Sequence, residues 1–345
     1  MNTTITIGNR RIGPGEPAYI IAELSGNHHS DKDIALQMVE AAAAAGVDAV
    51  KLQTFTADGI TVESDKEYFD LGGITMYEAY KNFETPREWT ADLKARANGL
   101  GLTLFSSPFD VSAVDFLQKL NMPAYKIASF ELVDMTLLKA VAKTGKPVIM
   151  STGMATQAEI EEAVQMMRSN GCDQIALLKC TSSYPAPPEE MNLNTIPRLA
   201  ELYGCPSGLS DHTLGITLPI AAAALGANVI EKHFILDRSA GGPESSFALE
   251  PDELKQLVES VRMVEKSLGK VHFGPEEREA ENLKFRRSLF VVEDIKAGEA
   301  FTEQNVRSVR PSNGLHTRHY DEILGKTAAV DIEKGTPMAW DLIKR

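Results

Sequence analysis

The feature that most limits what this chain can fold into is a rhythm of eight short apolar runs, each followed by a stretch of helical period. The runs are Tyr19–Leu24, Asp48–Thr54, Leu102–Ser107, Ala124–Ser129, Pro147–Thr152, Gln174–Thr181, Ser207–His212 and Val229–Phe234. Helices are predicted over 31–45, 86–99, 111–120, 135–143, 157–169, 194–202, 218–225 and 251–268, with a long polar excursion over 55–85. Gly46 stops the first helix and Pro86 starts the second, as their backbone preferences dictate. Eight strand–helix units in about 250 residues is the arithmetic of a (β/α)8 TIM barrel. A doubly wound open sheet is the competing arrangement, but no Gly-rich phosphate-binding turn follows the first run. Glu23, Lys51, Ser107, Ser129, Ser182, Asp211, His212 and His233 all fall at or near the carboxyl ends of their runs. In a barrel those ends form one mouth, where an active site belongs.

The alternation stops after Leu268. We expect a barrel over 1–270, a charged linker over 271–284 and a small β-rich domain over 285–345. Within that tail, Ile295-Lys-Ala-Gly and Ile332-Glu-Lys-Gly look like one turn device used twice.

With 35 Lys+Arg against 48 Asp+Glu, the chain carries a net charge of −13. That argues against a nucleic-acid partner, which needs a basic face, but leaves small anionic substrates open. Residues 282–345 hold 11 basic and 9 acidic side chains, so the acidity lies upstream. No run is long enough to span a membrane, and the N-terminal MNTTITIGNRR lacks the apolar core of a secretory signal. The three cysteines show no CxxC spacing and suggest neither disulfides nor a zinc site. A soluble cytoplasmic protein is expected.

Lys51 and Lys126 lie within apolar runs, where an unpaired charge is costly. They either form ion pairs with Glu23 or Glu131, or together hold a phosphate or carboxylate, with Ser107, Ser129 and Ser210 as neutral donors. His212 and His233 end the seventh and eighth runs, which are neighbours in a closed barrel. They are either two hydrogen-bonded imidazoles or a pair sharing one divalent ion, with Glu23 or water completing it. Ser182 and Ser210 lack a nucleophile-elbow context, which argues against a serine hydrolase.

Several segments are recognisable together: Ile20-Ile-Ala-Glu-Leu-Ser-Gly-Asn-His28, Lys51-Leu-Gln-Thr-Phe, Phe105-Ser-Ser-Pro-Phe, Tyr125-Lys-Ile-Ala-Ser129, Ser151-Thr-Gly-Met154, Gly208-Leu-Ser-Asp-His-Thr213 and Glu231-Lys-His-Phe234. In this order they resemble the sialic acid synthase family, phosphoenolpyruvate-dependent enzymes that make nonulosonates. Val309-Arg-Pro, Gly314 and Leu324-Gly-Lys resemble that family's C-terminal SAF, or antifreeze-like, domain. Glu23-Leu-Ser-Gly-Asn-His, the Lys179–Pro188 segment and Gly241-Gly-Pro with Ala248-Leu-Glu-Pro251 are most similar to the pseudaminic branch.

The resemblance implies condensation of phosphoenolpyruvate with an N-acetylated amino sugar, 2,4-diacetamido-2,4,6-trideoxy-L-altrose in that branch. The sialic and legionaminic branches run the same chemistry on N-acetylmannosamine or the legionaminic precursor, and a non-catalytic sugar-binding barrel is the alternative of another class. It further implies a divalent ion (Mn²⁺, Mg²⁺ or Co²⁺) on His212 and His233 that polarises the sugar aldehyde. Lys51, Ser107, Lys126, Ser129, Ser182 and Ser210 would then hold phosphoenolpyruvate, and Glu23 would handle the water or a proton. Gln53, Glu131 and Tyr184 would orient the sugar. Arg310 would reach into the partner's barrel of a domain-swapped homodimer, or is simply an exposed arginine. Two positions depart from the family's usual wording: His29 follows His28 where Asn is frequent, and Glu244 stands where Asp is usual, which leaves its contact with a sugar hydroxyl open.

Overall fold

A computed structural model describes residues 4–242 and 244–344. Pro243 of the Gly241-Gly-Pro turn and the first three residues of the N-terminal stretch lie outside the described residues. The chain divides into two compact units, Met1–Gly269 and Lys270–Arg345.

The first unit opens with an antiparallel hairpin, β1 (Ile5–Ile7) and β2 (Arg10–Ile12). Eight parallel strands follow: β3 (Tyr19–Glu23), β4 (Ala49–Thr54), β5 (Thr103–Pro108), β6 (Tyr125–Ile127), β7 (Val148–Ser151), β8 (Ile175–Cys180), β9 (Ser207–Asp211) and β10 (Val229–His233). They close into a barrel in chain order, with β10 pairing back to β3. The eight predicted strands are all present, and the open-sheet alternative is excluded by this closure.

Strand side chains alternate between two layers. Ile20, Ala22, Val50, Leu52 and Leu104 face outward into the cluster that includes helix residues such as Met38, Leu93 and Leu257. Tyr19, Ile21, Ala49, Phe105, Ala124, Ile149, Ala176, Leu178 and Val229 share the second cluster with Ile5, Ile7 and Ile12 of the hairpin. Two layers of apolar side chains thus sandwich the sheet, with the hairpin isoleucines plugging its interior. The long helix Pro251–Leu268 starts where predicted, with Pro251 in its first turn and a reciprocal Glu250–Glu253 capping box.

Two things differ from the sequence reading. The hairpin was not foreseen, because two three-residue strands carry too little period to be seen. The polar excursion contains its own helices, Ala57–Ile60 and Met76–Phe83. The second of these is nucleated by a Thr75–Glu78 capping box.

The second unit pairs β11 (Ser288–Val291) with β12 (Val306–Val309) in antiparallel register. Its core gathers Leu289, Val291, Ile295, Phe301, Val306, Ile323, Ala328, Ile332, Met338 and Ile343. The other predicted strand segments form single bridges, such as Ala300 with Thr327, instead of strands. The repeated turn device is a symmetric pair: Ile295 and Ile332 exchange both backbone hydrogen bonds, at 2.9 and 2.8 Å. Asp331 accepts from Ala297 N at 2.9 Å, and Asp294 accepts from Lys334 N at 2.8 Å, so each turn is capped by the other's aspartate. The 276–285 segment is an exposed short helix with a 3-10 turn, as its charge suggests.

Candidate active site

The site follows from the barrel's alternation. On the inward face, the apolar residues near the strand starts give way to polar ones at the carboxyl ends. Tyr19 and Ile21 lead to Glu23, Ala49 to Lys51 and Gln53, Phe105 to Ser107, Ala124 to Lys126, and Val229 to Glu231 and His233. Gly208 on β9 has a steric reason: a Cβ there would sit 1.9 Å from the Val229 carbonyl oxygen. Gly153 has another, with φ at 47° and its Cβ position 2.4 Å from Ser129 Cβ. That closeness lets the loops bearing Ser129 and Ser182 approach each other.

Both lysines are buried, and both are paired. Lys51 forms ion pairs with Glu23 and, at 3.6 Å, with Glu231. Lys126 pairs with Glu231 at 3.3 Å, and not with Glu131. Ser210 donates to Glu231 at 3.3 Å, and Lys51 donates to Ser107 at 3.4 Å. Glu231 was missed as a site residue, although it lies two positions before His233 and so shares its face. Burial works to raise its pKa, but Lys126 and Lys51 outweigh that and lower it. The two lysines diverge. Burial opposes the charge on Lys51, yet Glu23 and Glu231 together raise its pKa, whereas burial prevails over the single carboxylate beside Lys126 and lowers it. Two ammonium groups and two carboxylates leave the cluster close to neutral.

Glu23 is held on its other side. Ser25 and Gln53 donate to its Oε1 at 2.9 and 3.0 Å. Gln53, expected against the sugar, is thereby tied to Glu23. Ser25 was also missed; its φ of 47° turns the chain so that its hydroxyl lies 3.2 Å from His233 Nδ1.

His212 immediately follows β9 and His233 ends β10, with ring centroids 5.1 Å apart. His212 Nδ1 is 2.9 Å from the Thr181 carbonyl, which can only accept, so Nδ1 carries the proton. His233 Nδ1 lies 3.3 Å from the Glu244 carboxylate. Each histidine is thus anchored through Nδ1, leaving Nε2 as the basic nitrogen, the arrangement of a metal-ligating imidazole. Among the described residues, no cluster of three or more His, Cys, Asp or Glu side chains is assembled for a metal. The donor set fits an ion taking two protein nitrogens and filling its other positions from water or substrate.

Around this centre, Tyr184 lies 4.4 Å from the His212 ring and is 45% exposed. Phe247 packs edge-on to His233 and against His212 and Tyr184. Cys180 Sγ is 3.9 Å from both His212 Nδ1 and Ser182 Oγ. Burial raises its pKa, but hydrogen bonding, that of His212 foremost, prevails and lowers it to about 7. Glu131 follows β6, and burial raises its carboxyl to about 7. Behind the histidines, Lys232 points to the outer layer and pairs with Asp211 at 2.6 Å; neither side chain is exposed. Arg310 belongs to the second unit, directly after β12, and is exposed.

Comparison with known proteins accords with this arrangement. The NeuB family profile matches residues 38–273, and the SAF domain profile matches residues 286–344. The pseudaminic acid synthase of Campylobacter jejuni strain 81-176 is 44% identical over 334 residues, covering 95% of this chain and 97% of that protein. The pseudaminic acid synthase of Helicobacter pylori is 42% identical over 337 residues, covering 96% and 99%. Among solved structures, the N-acetylneuraminic acid synthetase of Leptospira borgpetersenii superposes with a TM-score of 0.73 at 35% identity, covering 82% of this chain and 96% of that one. A barrel with this mouth, a matching profile over most of its length and relatives aligned almost end to end lead to one conclusion: the chain belongs to the NeuB family.

Proposed function

We propose that this chain is a pseudaminic acid synthase, condensing phosphoenolpyruvate and water with 2,4-diacetamido-2,4,6-trideoxy-L-altrose and releasing phosphate. The observation that carries the reading is the meeting, at one barrel mouth, of a buried lysine pair with a histidine pair that presents free Nε2 atoms. The near full-length similarity to pseudaminic acid synthases selects the branch.

Lys51 and Lys126, with Ser107, Ser129, Ser182 and Ser210, hold the phosphate and carboxylate of phosphoenolpyruvate. Glu231 and Glu23 keep the lysines in place as counter-charges, so the arriving anions need only compete for ammonium groups already oriented. His212 and His233 would hold a divalent ion (Mn²⁺, Mg²⁺ or Co²⁺), which when bound would supply Lewis-acid polarisation of the sugar aldehyde. Carbon 3 of the enol phosphate adds to the aldehyde carbon, carbon 2 takes up water, and the proton that the water gives up balances the one gained by the aldehyde oxygen as it becomes a hydroxyl. Glu23, aimed by Ser25 and Gln53, accepts a proton from that water. The resulting tetrahedral centre loses phosphate by C–O cleavage. Glu131 and Tyr184 orient the sugar at the rim, with Gln53 acting through Glu23. Arg310 of a partner subunit completes the site in a domain-swapped homodimer. The barrel domain spans 1–270, a linker spans 271–284 and the SAF domain spans 285–345. Because phosphoenolpyruvate is a metabolite of the cytoplasm, the enzyme works there.

The test is phosphate release from phosphoenolpyruvate with each of three aldoses, before and after EDTA treatment. The diacetamido-trideoxy-altrose should be turned over preferentially, and EDTA should abolish release until Mn²⁺, Mg²⁺ or Co²⁺ is restored. Preferential turnover of N-acetylmannosamine or the legionaminic precursor would move the chain to another branch. No release with any sugar and any ion would leave a non-catalytic sugar-binding barrel.

A further inference from the structure

We propose that Glu244 is a positioning residue for His233, its carboxylate holding the imidazole with Nδ1–H toward the loop and Nε2 toward the mouth. The inference rests on the reading of His212 and His233 as a metal-holding pair.

The geometry begins at the loop after β10. Glu244 Oε2 lies 3.3 Å from His233 Nδ1, and the Glu244 side chain is only 24% exposed. The carboxylate lies among the residues of the mouth, and there its ion-pair partner is His233. The surrounding loop is built to deliver it there. Ser245 Oγ donates to the Gly242 carbonyl at 2.8 Å, and Ala248 N donates to the Glu244 carbonyl at 3.2 Å. Gly242, at φ 112°, lies against His29, whose Cε1 would be 3.5 Å from a Cβ at that position. His29 is itself held at a φ of 51°, an uncommon conformation for a non-glycine residue, which persists when its surroundings demand it. The two positions that depart from the family's usual wording, His29 and Glu244, therefore belong to neighbouring loops that touch.

Chemically, a carboxylate on Nδ1–H fixes the tautomer and the ring plane of a ligating histidine and raises the basicity of its other nitrogen. Ser25, sitting 3.2 Å from the same Nδ1 and donating to Glu23, extends the contact into a chain running Glu23, Ser25, His233, Glu244. Side-chain length decides the matter. An aspartate would fall short by one methylene, roughly 1.5 Å, and at 3.3 Å there is no slack to lose.

The experiment is a titration of Mn²⁺ by electron paramagnetic resonance, in the presence of phosphoenolpyruvate and without sugar, so that no turnover occurs. Wild type, Glu244→Ala, Glu244→Gln, Glu244→Asp and His233→Ala are compared, with steady-state KM values measured beside them. Glu244→Ala should weaken Mn²⁺ binding by roughly 10- to 100-fold while leaving the KM for phosphoenolpyruvate unchanged. Glu244→Gln, which keeps an acceptor at the same reach, should restore most of the affinity, and Glu244→Asp should not. Unaltered Mn²⁺ affinity in Glu244→Ala, with a raised KM for the sugar, would assign Glu244 to the sugar and overturn the positioning role while leaving the metal reading intact. If wild type and His233→Ala bind Mn²⁺ alike, or neither binds it, the metal reading falls and the proposal falls with it.

Discussion

His28 illustrates how a single residue can stabilise this fold at one pH and weaken it at another. It is 1% exposed, packs edge-on against Trp89, and uses both ring nitrogens. Ser30 N donates to Nδ1 at 3.1 Å, so Nδ1 is unprotonated, and Nε2–H is left to donate to Thr85 Oγ1 at 2.9 Å. Protonation would place a second N–H where an acceptor is needed. Burial, helped by the charge of His29, lowers the pKa to about 4. In the unfolded chain it returns to about 6.5, so as the pH falls the unfolded state takes the proton first. The contribution of His28 is therefore complete above pH about 6.5 and is lost as the pH falls toward the folded value, costing about 2 kcal/mol between pH 7 and 5. Urea unfolding at the two pH values should show this extra loss in wild type and not in His28→Gln. An equal loss in both proteins would sink the argument. At this scale the sequence was partly readable. Lys51 and Lys126 stood out as charges in apolar runs, and Glu231 could have been found by stepping back two residues from His233. The side to which Glu244 turns could not be read, because it depends on the touching loops after β3 and β10.

Among the elements, β9 and β10 matter most, because together they deliver both histidines. The two strands are in parallel register, with Asp211 opposite Lys232. Their side chains pair at 2.6 Å in the dry layer between sheet and helices, Lys232 also donates to the Thr213 carbonyl, and Asp211 accepts from Thr213 N and Oγ1. This clamp fixes the chain on either side of His212. Burial opposes the charge on Lys232 and lowers its pKa, with Asp211 acting against that shift. Removing one member strands the other: Asp211→Ala should destabilise by roughly 3–5 kcal/mol, whereas Asp211→Leu combined with Lys232→Met should recover most of the loss. Denaturant midpoints would decide, and a double variant as unstable as Asp211→Ala would show that packing, not stranded charge, sets the cost. The existence of eight strands was legible because each carries its own apolar run. The clamp was not, since its partners sit on different strands and only register joins them. The twin turns were legible as a repeated tetrapeptide, but not their mutual aspartate caps, which need the two copies brought face to face.

For the whole molecule, charge separates the units differently than a cut at residue 282 suggests. Lys270–Arg345 holds 13 basic and 13 acidic side chains and is neutral, so Met1–Gly269 carries the entire −13. The acidic connector, Glu276 to Glu281, offsets the basic tail that follows it. Bulk attraction between oppositely charged units therefore does not explain why the second unit is present, and the explanation proposed above is a specific side chain. Arg310 is the one proposed, reaching the mouth of a partner's barrel. Arg310→Ala should leave the melting temperature unchanged while lowering kcat/KM for the sugar. A complementation experiment tests the partner's involvement directly. His233→Ala disables the barrel of its own chain but leaves that chain's Arg310 intact, and Arg310→Ala does the reverse. In a hybrid of the two, one site combines an intact barrel with an intact arginine and the other has neither. Random pairing of equal amounts should therefore restore about a quarter of wild-type activity, because half the dimers are hybrids and each has one whole site. Co-expression of the two variants, each nearly inactive alone, provides the measurement. If Arg310 served its own chain, every site in the hybrid would lack one partner, and activity would stay at the level of the single variants.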